Sequence, residues 1–331
     1  MIFGDNFQNS KPVNIALAAD DCFAQHLGVT VASILANALN GSQIGFYIID
    51  VGISDLNKNK LKSIIENFEN IHSKIFFISA EDKFKTRNFK TNQSFSIATY
   101  ARIFLGDLLP KDLTKIIYLD SDLVVESDLS ELWNYSFGSA IILAVQDASL
   151  ELPKIYRKQL KIPYEKGVFN AGVIVIDLER FRNENIAEKI IQFLESNKSK
   201  LYAFDQDGIN SVLFNDWKQI SPVWNQAPLV AIYKNYKLTP YSHDDFWQAK
   251  NHPRIIHYFS RFNKPWSFEG IHPLANRYYH YLKMTPWKGY RPKPTLVSIF
   301  SKAINFFIFR IAPFSLWNKI FTISLKFRGM N

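Results

Sequence analysis

The chain has 331 residues, of which 47% are hydrophobic and 21% charged. That length can bury a full core, and the composition excludes a disordered chain. The single cysteine, Cys22, excludes a disulfide framework and favours a reducing compartment. The sequence shows no signal-peptide pattern and no apolar run of about 18 residues, so we expect a cytoplasmic protein without a transmembrane helix.

The charge is unevenly distributed along the chain. The net charge is +9, yet residues 270–331 hold ten Lys or Arg and no Asp or Glu, which leaves 29 basic and 30 acidic residues in 1–269. This asymmetry predicts an anionic partner for the C-terminal part, either a membrane surface or a nucleic acid. We expect two parts, a catalytic domain over 1–269 and a basic, aromatic-rich helical extension over 270–331.

The first 120 residues predict strands and helices in alternation. Apolar runs of strand length alternate with segments of helical periodicity, and Asn40-Gly41 and Pro110 end two of the helices. The predicted elements are a strand over Val13–Ala19, a helix over His26–Asn40, a strand over Ile44–Val51, a helix over Asp55–Phe68, a strand over Lys74–Ile78, a loop over 81–96, a helix over Ile97–Leu109 and a strand over Ile116–Leu119. Short connections between them predict a mostly parallel sheet with helices on both faces.

The second half predicts fewer regular elements. A helix is expected from near Leu129 with Asp128 as its cap, and further elements follow. They are strands over Ala140–Val145, Gly172–Ile176 and Ile255–Tyr258, and helices over Asp177–Glu195 and Gln206–Phe214.

Apolar and aromatic residues dominate Leu296–Ile311 and Phe314–Lys326, at the end of the chain. In the second segment polar residues recur every three or four positions and mark one helical face. A basic helix with Trp and Phe on its apolar side is typical of a membrane interface. The alternative is a pair of helices packed on the protein's own core, with solvated lysines.

The strand over Ile116–Leu119 delivers Asp120 and Asp122, separated by one small residue. Residues two apart in an extended segment point to the same side, and open α/β sheets bind ligands at the carboxyl ends of their strands. Two carboxylates at that position suit Mg²⁺ or Mn²⁺, which in turn hold phosphate oxygens. Asp-x-Asp is common after strands, so the interpretation depends on the rest of the chain.

Seven short motifs occur together in one order. They are Ala-Ala-Asp-Asp at 18–21, Thr-Tyr-Ala-Arg at 99–102, Tyr-Leu-Asp-Ser-Asp at 118–122, Phe-Asn-Ala-Gly-Val at 169–173, Asp-Gln-Asp at 205–207, His-Tyr at 257–258 and Lys-Pro-Trp at 264–266. With this ordered set, residues 13–290 resemble the family 8 glycosyltransferases, and most of all the bacterial members that add galactose or glucose to the lipopolysaccharide core. The resemblance implies an α/β fold of the GT-A type with a mostly parallel central sheet.

The resemblance also implies a reaction. It is a retaining transfer of hexose from UDP-galactose or UDP-glucose to a glycolipid or oligosaccharide acceptor. The metal ion that assists it is Mn²⁺, with Mg²⁺ as the alternative. The implied metal ligands are Asp120, Asp122 and His257, a set that fits Mn²⁺ better than Ca²⁺. The basic charge of the tail together with its wide apolar face then predicts a peripheral protein on the inner face of the cell membrane, with no nucleic-acid partner.

The remaining site residues are also implied by position in the motifs. The resemblance assigns Asp20, Asp21 and Phe23 to the nucleotide, Arg102 to the donor, Ser260 and Lys264 to the phosphates, Asn170 and Asp147 to a sugar, and Asp205 and Gln206 to the transferred hexose. Gln206 would face the anomeric carbon, and an amide is a poor nucleophile. Same-face attack by the acceptor hydroxyl is therefore favoured, with double displacement through a carboxylate as the rival.

The chain departs from the family pattern at Cys22 and Phe23, which stand where asparagine and tyrosine are frequent, and at Ser260. Ser260 replaces a glycine in the phosphate loop, which is one residue longer here. A UDP-sugar-binding relative without turnover therefore stays open as an alternative. A dinucleotide-dependent oxidoreductase is disfavoured, because Ala19-Asp20-Asp21-Cys22 follows the first strand instead of Gly-x-Gly-x-x-Gly.

Overall fold

The structure, a computed structural model, describes residues 12–85, 87, 89–91, 96–149, 160–163 and 165–307. Its strands in chain order are β1 Val13–Ala19, β2 Gln43–Asp50, β3 His72–Ser79, β4 Lys115–Leu119, β5 Leu123–Val125, β6 Ile142–Gln146, β7 Phe169–Asp177, β8 Trp217–Gln219 and β9 Ile255–His257. Seven of them form one sheet in the order β3-β2-β1-β4-β7-β6-β8, and β5 and β9 form a separate pair.

The large sheet is mostly parallel, as the strand-helix alternation predicts. β7 is the exception, since it pairs antiparallel with both β4 and β6. Its direction places the start of β7 at the same edge as the carboxyl end of β4. The residues that follow β4 and the first residues of β7 therefore lie together at this edge. β5 and β8, three residues each, are too short to give a periodic signal and were not predicted.

The helices in chain order flank this sheet. They are α1 Ala24–Asn37, α2 Asp55–Glu66, α3 Glu81–Lys85, α4 Leu105–Leu108, α5 Ser130–Trp133, α6 Leu178–Asn183, α7 Ile186–Ser196, α8 Asp205–Leu213, α9 Pro228–Ile232, α10 His243–Asn251, α11 Ala275–Leu282 and α12 Leu296–Phe306. Short 3₁₀ turns lie at Asp21–Phe23, Ile97–Phe104, Lys198–Lys200, Pro222–Trp224, Tyr236–Leu238 and Arg261–Asn263.

One loop prediction and two helix predictions need correction. The predicted loop 81–96 begins with α3, whose acidic first turn and basic last turn favour a helix. The predicted helix over Ile97–Leu109 is a 3₁₀ helix over Ile97–Phe104 followed by α4. The predicted helix over Asp177–Glu195 is two helices, because Asn185 has φ 52° and interrupts the helical backbone.

The core lies on both faces of the sheet. Every residue of β1 is buried, as expected for a strand of a sheet covered on both sides. Ile15 and Leu17 pack into the cluster under α1 and α2, whereas Ala16 and Ala18 pack into the cluster under α7. The period of two along one strand thus supplies both hydrophobic layers.

Residues beyond 269 pack on the same body. Tyr278, Tyr281 and Leu282 of α11 share a buried cluster with Val29 of α1 and Val124 of β5. The division at 269/270 stays a prediction. The helix predicted over Leu296–Ile311 is α12, and the helix predicted over Phe314–Lys326 lies outside the described residues. Within the described part of the chain, no helix is both long and apolar enough to cross a bilayer.

The helix α12 has an unusual orientation. Its buried residues, Ser298 and Asn305, are polar and lie about two turns apart on the same face of the helix. Its apolar residues point outwards, and Leu296, Val297 and Phe300 are 78%, 73% and 70% exposed. A helix that folds on a protein core normally shows the opposite arrangement.

Candidate active site

Two carboxylates lie where β4 ends. Asp120 and Asp122 follow β4 directly, and the main-chain N–H of Asp120 donates to Gly172 O at the start of β7 (2.8 Å). Between them, the hydroxyl of Ser121 donates to Ala18 O on β1 (2.7 Å). This alternation leaves both carboxylates on the opposite side from Ser121, as the Asp-Ser-Asp spacing predicts.

The third member of the group is His257, the last residue of β9. The pairing of β5 with β9 sets His257 opposite Leu123, which brings its ring beside the two carboxylates. Its Nε2 lies 3.0 Å from Asp122 Oδ1 and 3.7 Å from Asp120 Oδ2. Ligand atoms of all three residues lie within 4.8 Å of one another, so the three predicted metal ligands converge.

Asn225 orients the ring of His257. Its side-chain Oδ1 lies 2.9 Å from His257 Nδ1, so the ring donates there and directs Nε2 at the carboxylates. Its Nδ2 donates to Asn170 Oδ1 (2.9 Å), which links the histidine to a predicted sugar-site residue. Sequence reasoning missed Asn225. The available signal was the amide pair Asn225-Gln226 inside an otherwise apolar segment.

Lys264 neutralises this edge of the sheet. Its Nζ forms an ion pair with Asp122, and it lies 5.2 Å above the ring of Trp266. Burial alone would raise the pKa of Asp122, but the charges and hydrogen bonds of Lys264 and His257 hold it well below its usual range. Asp122 is therefore an anion at neutral pH, as a metal-binding carboxylate must be.

Arg102 connects Asp120 to Asp205 inside the protein. Its Nη2 lies 2.9 Å from Asp120 Oδ1, and its Nε lies 2.9 Å from Asp205 Oδ2. The Nε–H bond itself points to Thr99 O (3.1 Å), so Asp205 Oδ2 gains charge compensation but no hydrogen bond from the described residues. Nη1 donates to Ala171 O. Arg102 is itself buried.

Asp205 and Gln206 begin α8 and face the start of β7. Burial raises the pKa of Asp205 to about 6, although Arg102 and Thr99 act in the opposite direction. Gln206 accepts from Ala171 N through Oε1 (3.0 Å). Burial also raises the pKa of Asp147, which is hydrogen-bonded by Ser149 N–H and by the Gln206 amide. The predicted sugar-site residues thus lie together around the amino end of β7.

The three residues assigned to the nucleotide, Asp20, Asp21 and Phe23, contact different parts of the protein. Asp20 caps the 3₁₀ turn Asp21–Phe23 by accepting from Phe23 N (3.1 Å). Phe23 packs edge-on to Trp266, two residues beyond Lys264, which joins this segment to the phosphate loop. Asp21 instead accepts from Ser54 N and Asn57 Nδ2, both at 2.8 Å, and so braces the start of α2.

Ser260 adopts a glycine-like backbone, with φ 69° and ψ 146°. That conformation is strained for a residue with a side chain and costs about 1–3 kcal/mol. The hydroxyl of Ser260 accepts from Asn263 Nδ2 (2.8 Å), which closes the loop before Lys264. The loop therefore keeps the shape that glycine would give, at some cost in stability.

We expect Ser260→Gly to be more stable than Ser260→Ala by about 1–2 kcal/mol in free energy of unfolding. Both changes remove the hydroxyl, and only glycine relieves the positive φ. Urea denaturation of the two variants measures the difference. Equal stability of the two would show that the loop is unstrained in solution.

Gly172 leaves the space beside the three convergent ligands. A Cβ at this position would overlap the His257 ring and lie 2.7 Å from Asp120 Oδ2. Two carboxylates, an imidazole held by Asn225 and this side-chain-free neighbour fit a hard divalent cation. Asp120, Asp122 and His257 are the residues that would hold it.

Gly172→Ala is expected to lower Mn²⁺ affinity by at least about tenfold, because the added methyl displaces the ring or carboxylate. Electron paramagnetic resonance of free Mn²⁺ measures this without any turnover. Gly289→Ala is the matched control, since among the described residues nothing except its chain neighbours lies within 4 Å of its Cβ position. If both variants bind Mn²⁺ like the parent protein, the space at Gly172 does not serve a metal.

Comparison with known proteins identifies the family. The model described as glycosyl transferase family 8 matches residues 14–270. The chain belongs to glycosyl transferase family 8. General stress protein A of Bacillus subtilis is 29% identical over 278 residues, covering 83% of this chain and 94% of that protein. Lipopolysaccharide 1,2-glucosyltransferase of Escherichia coli is 25% identical over 289 residues, covering 87% and 82%.

A solved family 8 relative has the same fold. The galactosyltransferase LgtC, crystallised with donor and acceptor sugar analogues, superposes with a TM-score of 0.72 at 25% identity, covering 87% of this chain and 100% of LgtC. The predicted family 8 membership and the α/β GT-A fold with a mostly parallel sheet are thus confirmed. Family 8 enzymes of this fold use nucleotide-sugar donors, and this chain is related to glycosyltransferases of lipopolysaccharide synthesis.

Proposed function

We propose that this protein is a retaining hexosyltransferase that moves galactose or glucose from a UDP-sugar to a glycolipid or oligosaccharide acceptor. The observation that carries the proposal is the convergence of Asp120, Asp122 and His257, with Lys264 paired to Asp122. A family 8 chain with this group at the carboxyl edge of its sheet has the charges that a sugar diphosphate requires. Relatives named for lipopolysaccharide synthesis support the lipopolysaccharide core, or another cell-surface polysaccharide, as the product.

The donor is held by charges on two sides. Asp120, Asp122 and His257 would hold Mn²⁺, or Mg²⁺, and such an ion supplies Lewis-acid stabilisation of the departing diphosphate. Lys264 provides a second cation, which can leave Asp122 for a phosphate oxygen because both side chains lie at the same edge. Phe23 offers an apolar ring to the uracil, next to Trp266. Asp20 lies at the start of this segment and accepts from Phe23 N–H, and we assign its carboxylate to the uracil or the ribose.

The transferred hexose lies between α8 and the start of β7. Asp205, Asn170 and Asp147 supply oxygen acceptors around Gln206, and Arg102 fixes Asp205 from behind. We favour same-face attack, in which the acceptor oxygen bonds to the anomeric carbon as its bond to the UDP oxygen breaks. The hydroxyl proton passes to the departing phosphate. An amide is a poor nucleophile, so Gln206 does not attack the anomeric carbon. Its role is to position the sugar.

UDP release tests the proposed reaction. UDP-galactose and UDP-glucose are each incubated with the protein and Mn²⁺ or EDTA, without acceptor. Slow release from one sugar that EDTA abolishes supports the transferase and names its donor. Tight UDP binding with no release, even after addition of lipopolysaccharide-core acceptors, favours the second candidate, a silent UDP-sugar-binding relative. The strained Ser260 loop is the observation that favours that candidate.

We also propose that the protein lies on the inner, anionic face of the cell membrane. The support is α12, whose exposed side carries Leu296, Val297, Ile299 and Phe300 while its polar Ser298 faces the protein. A helix with outward apolar residues and basic neighbours suits the headgroup boundary of a bilayer. Each basic residue near an anionic leaflet adds about 1 kcal/mol.

Deletion of residues 295–331 is expected to release the protein from anionic vesicles and to leave UDP release from the donor within about twofold, because α12 lies outside the donor site. Co-sedimentation with vesicles and the UDP assay measure the two properties on one preparation. A truncated protein that still sediments with vesicles would exclude the tail as the anchor.

A further inference from the structure

A basic groove lies on α11, apart from the donor site. It is a cavity of about 420 Å³ lined by Asn276, Arg277, Tyr279, His280, Lys283 and Arg291. Helical spacing of three and four residues places most of these side chains on one face of α11. The lining contains two guanidinium groups and an ammonium group, and none of the described residues that line it is a carboxylate.

Each of the two arginines contacts a neighbouring side chain. Arg277 Nε lies 3.5 Å from Glu126 Oε2, just beyond β5, and about half of its side chain is exposed. The guanidinium of Arg291 lies 5.2 Å above the Tyr279 ring and donates to Tyr290 O (2.6 Å). Guanidinium groups held in this way lose less conformational entropy when they bind an oxyanion.

The groove adjoins the loop that carries Lys264 and precedes α12 in the chain. Its wall residue Tyr279 donates to Pro265 O (2.6 Å), and Tyr290 donates to Trp266 O (2.9 Å), so the groove adjoins the back of the loop that carries Lys264. In the other direction, α12 begins five residues after Arg291 and turns its apolar side outwards.

We propose that this groove binds the phosphate of an anionic lipid headgroup. Convergent Arg and Lys donors on a concave surface match a phosphate, and the donor's own diphosphate is served by Lys264 elsewhere. The exposed apolar face of α12, next along the chain, favours a phosphate attached to a membrane over a soluble one. The size suits one headgroup, whereas a nucleic acid would need a longer basic track. The inference builds on the proposed membrane association and adds a specific headgroup site to it.

Matched double variants of the full-length protein test the groove. Lys283→Ala/Arg291→Ala removes two charges inside it, and Lys288→Ala/Lys293→Ala removes two exposed charges that do not line it. Partition onto phosphatidylcholine vesicles with and without phosphatidic acid is measured for both, and thermal unfolding checks that both fold. We expect the groove variant to lose about tenfold more affinity for phosphatidic acid vesicles than the control, since two charge-assisted contacts are lost.

The outcomes separate the possible sources of the effect. Equal losses in both double variants would mean general electrostatic attraction and overturn the proposal, as would no loss in either. Glycerol 3-phosphate is titrated into the same proteins. If it saturates the groove as tightly as the vesicles do, the ligand is a soluble phosphate and the lipid assignment is wrong. UDP release from the donor is followed in parallel, so failure of the proposed transferase activity is seen independently of vesicle binding.

Discussion

Asp122→Asn is expected to lower metal-dependent turnover of the UDP-sugar by about three orders of magnitude, with the fold intact. The amide has the shape of the carboxylate but no charge, and it cannot be a ligand of the same strength. Asp122 is the residue on which His257 and Lys264 converge, so one substitution removes the anion that both of them contact. The protein should still fold, because Lys264 can turn its ammonium group to solvent.

The measurement is the rate of UDP release with saturating Mn²⁺, together with far- and near-ultraviolet circular dichroism. Asp244→Asn is the matched control, since the same chemical change is made at a carboxylate that is 95% exposed and contacts His243 instead of the three metal ligands. Activity within about tenfold of the parent protein would contradict both the metal assignment and the role of Asp122 in the proposed reaction.

The largest effect on stability is expected from Arg102→Met. Removal of the guanidinium leaves Asp120 and Asp205 inside the protein without their cation, which costs about 3–5 kcal/mol in free energy of unfolding. Arg102→Lys should recover only part of this loss, because an ammonium group cannot contact both carboxylates and Ala171 O as the planar guanidinium does.

A second substitution tests whether Arg102→Met loses stability because Asp205 loses its cation. Asp205→Asn removes one of the two stranded charges, so the double variant Arg102→Met/Asp205→Asn should be less destabilised than the sum of its single changes. If the free energies are additive, Arg102 does not act through Asp205. Denaturation in urea, monitored by tryptophan fluorescence, gives all four free energies.

The raised pKa of Asp205 determines how the free energy of unfolding of these variants changes with pH. The folded-state pKa of Asp205 is raised to about 6 by burial, above its value of about 4 in an unfolded chain. A group of this kind favours the folded state below the unfolded pKa, and its contribution is lost as pH rises through about 6. Without Arg102 the folded-state pKa of Asp205 rises further, so the defect of Arg102→Met should deepen as pH rises above about 6. Asp205→Asn should remove this dependence.

Local sequence patterns predicted most of the sheet and the carboxylate pair. Continuous apolar runs of strand length identify β1, β2 and β4, and a period of two places Asp120 and Asp122 on one side. The convergence of His257 on them was implied by family resemblance alone. It depends on the pairing of two three-residue strands, β5 and β9, which are far apart in sequence and carry no periodic signal.

The residues around the ligands were harder to predict because their partners are distant in sequence. Asn225 reaches His257 across 32 positions and Asn170 across 55, and no local spacing encodes either contact. Arg102 was assigned to the donor, but in the structure it contacts Asp120, Asp205, Thr99 and the Ala171 carbonyl. The contact with Ala171 depends on the antiparallel pairing of β7 with β4. Sequence periodicity does not predict the direction in which a strand pairs.

The buried position of Arg102 has a consequence for attempts to change the donor sugar by directed evolution. Arg102 is buried against two carboxylates that need its charge, so libraries at Arg102 should contain mostly destabilised members. Asn170 and Asp147 form hydrogen bonds but no ion pair with the described residues. Selection for a new hexose should therefore begin at Asp147, since Asn170 is bonded to Asn225, the amide that holds His257.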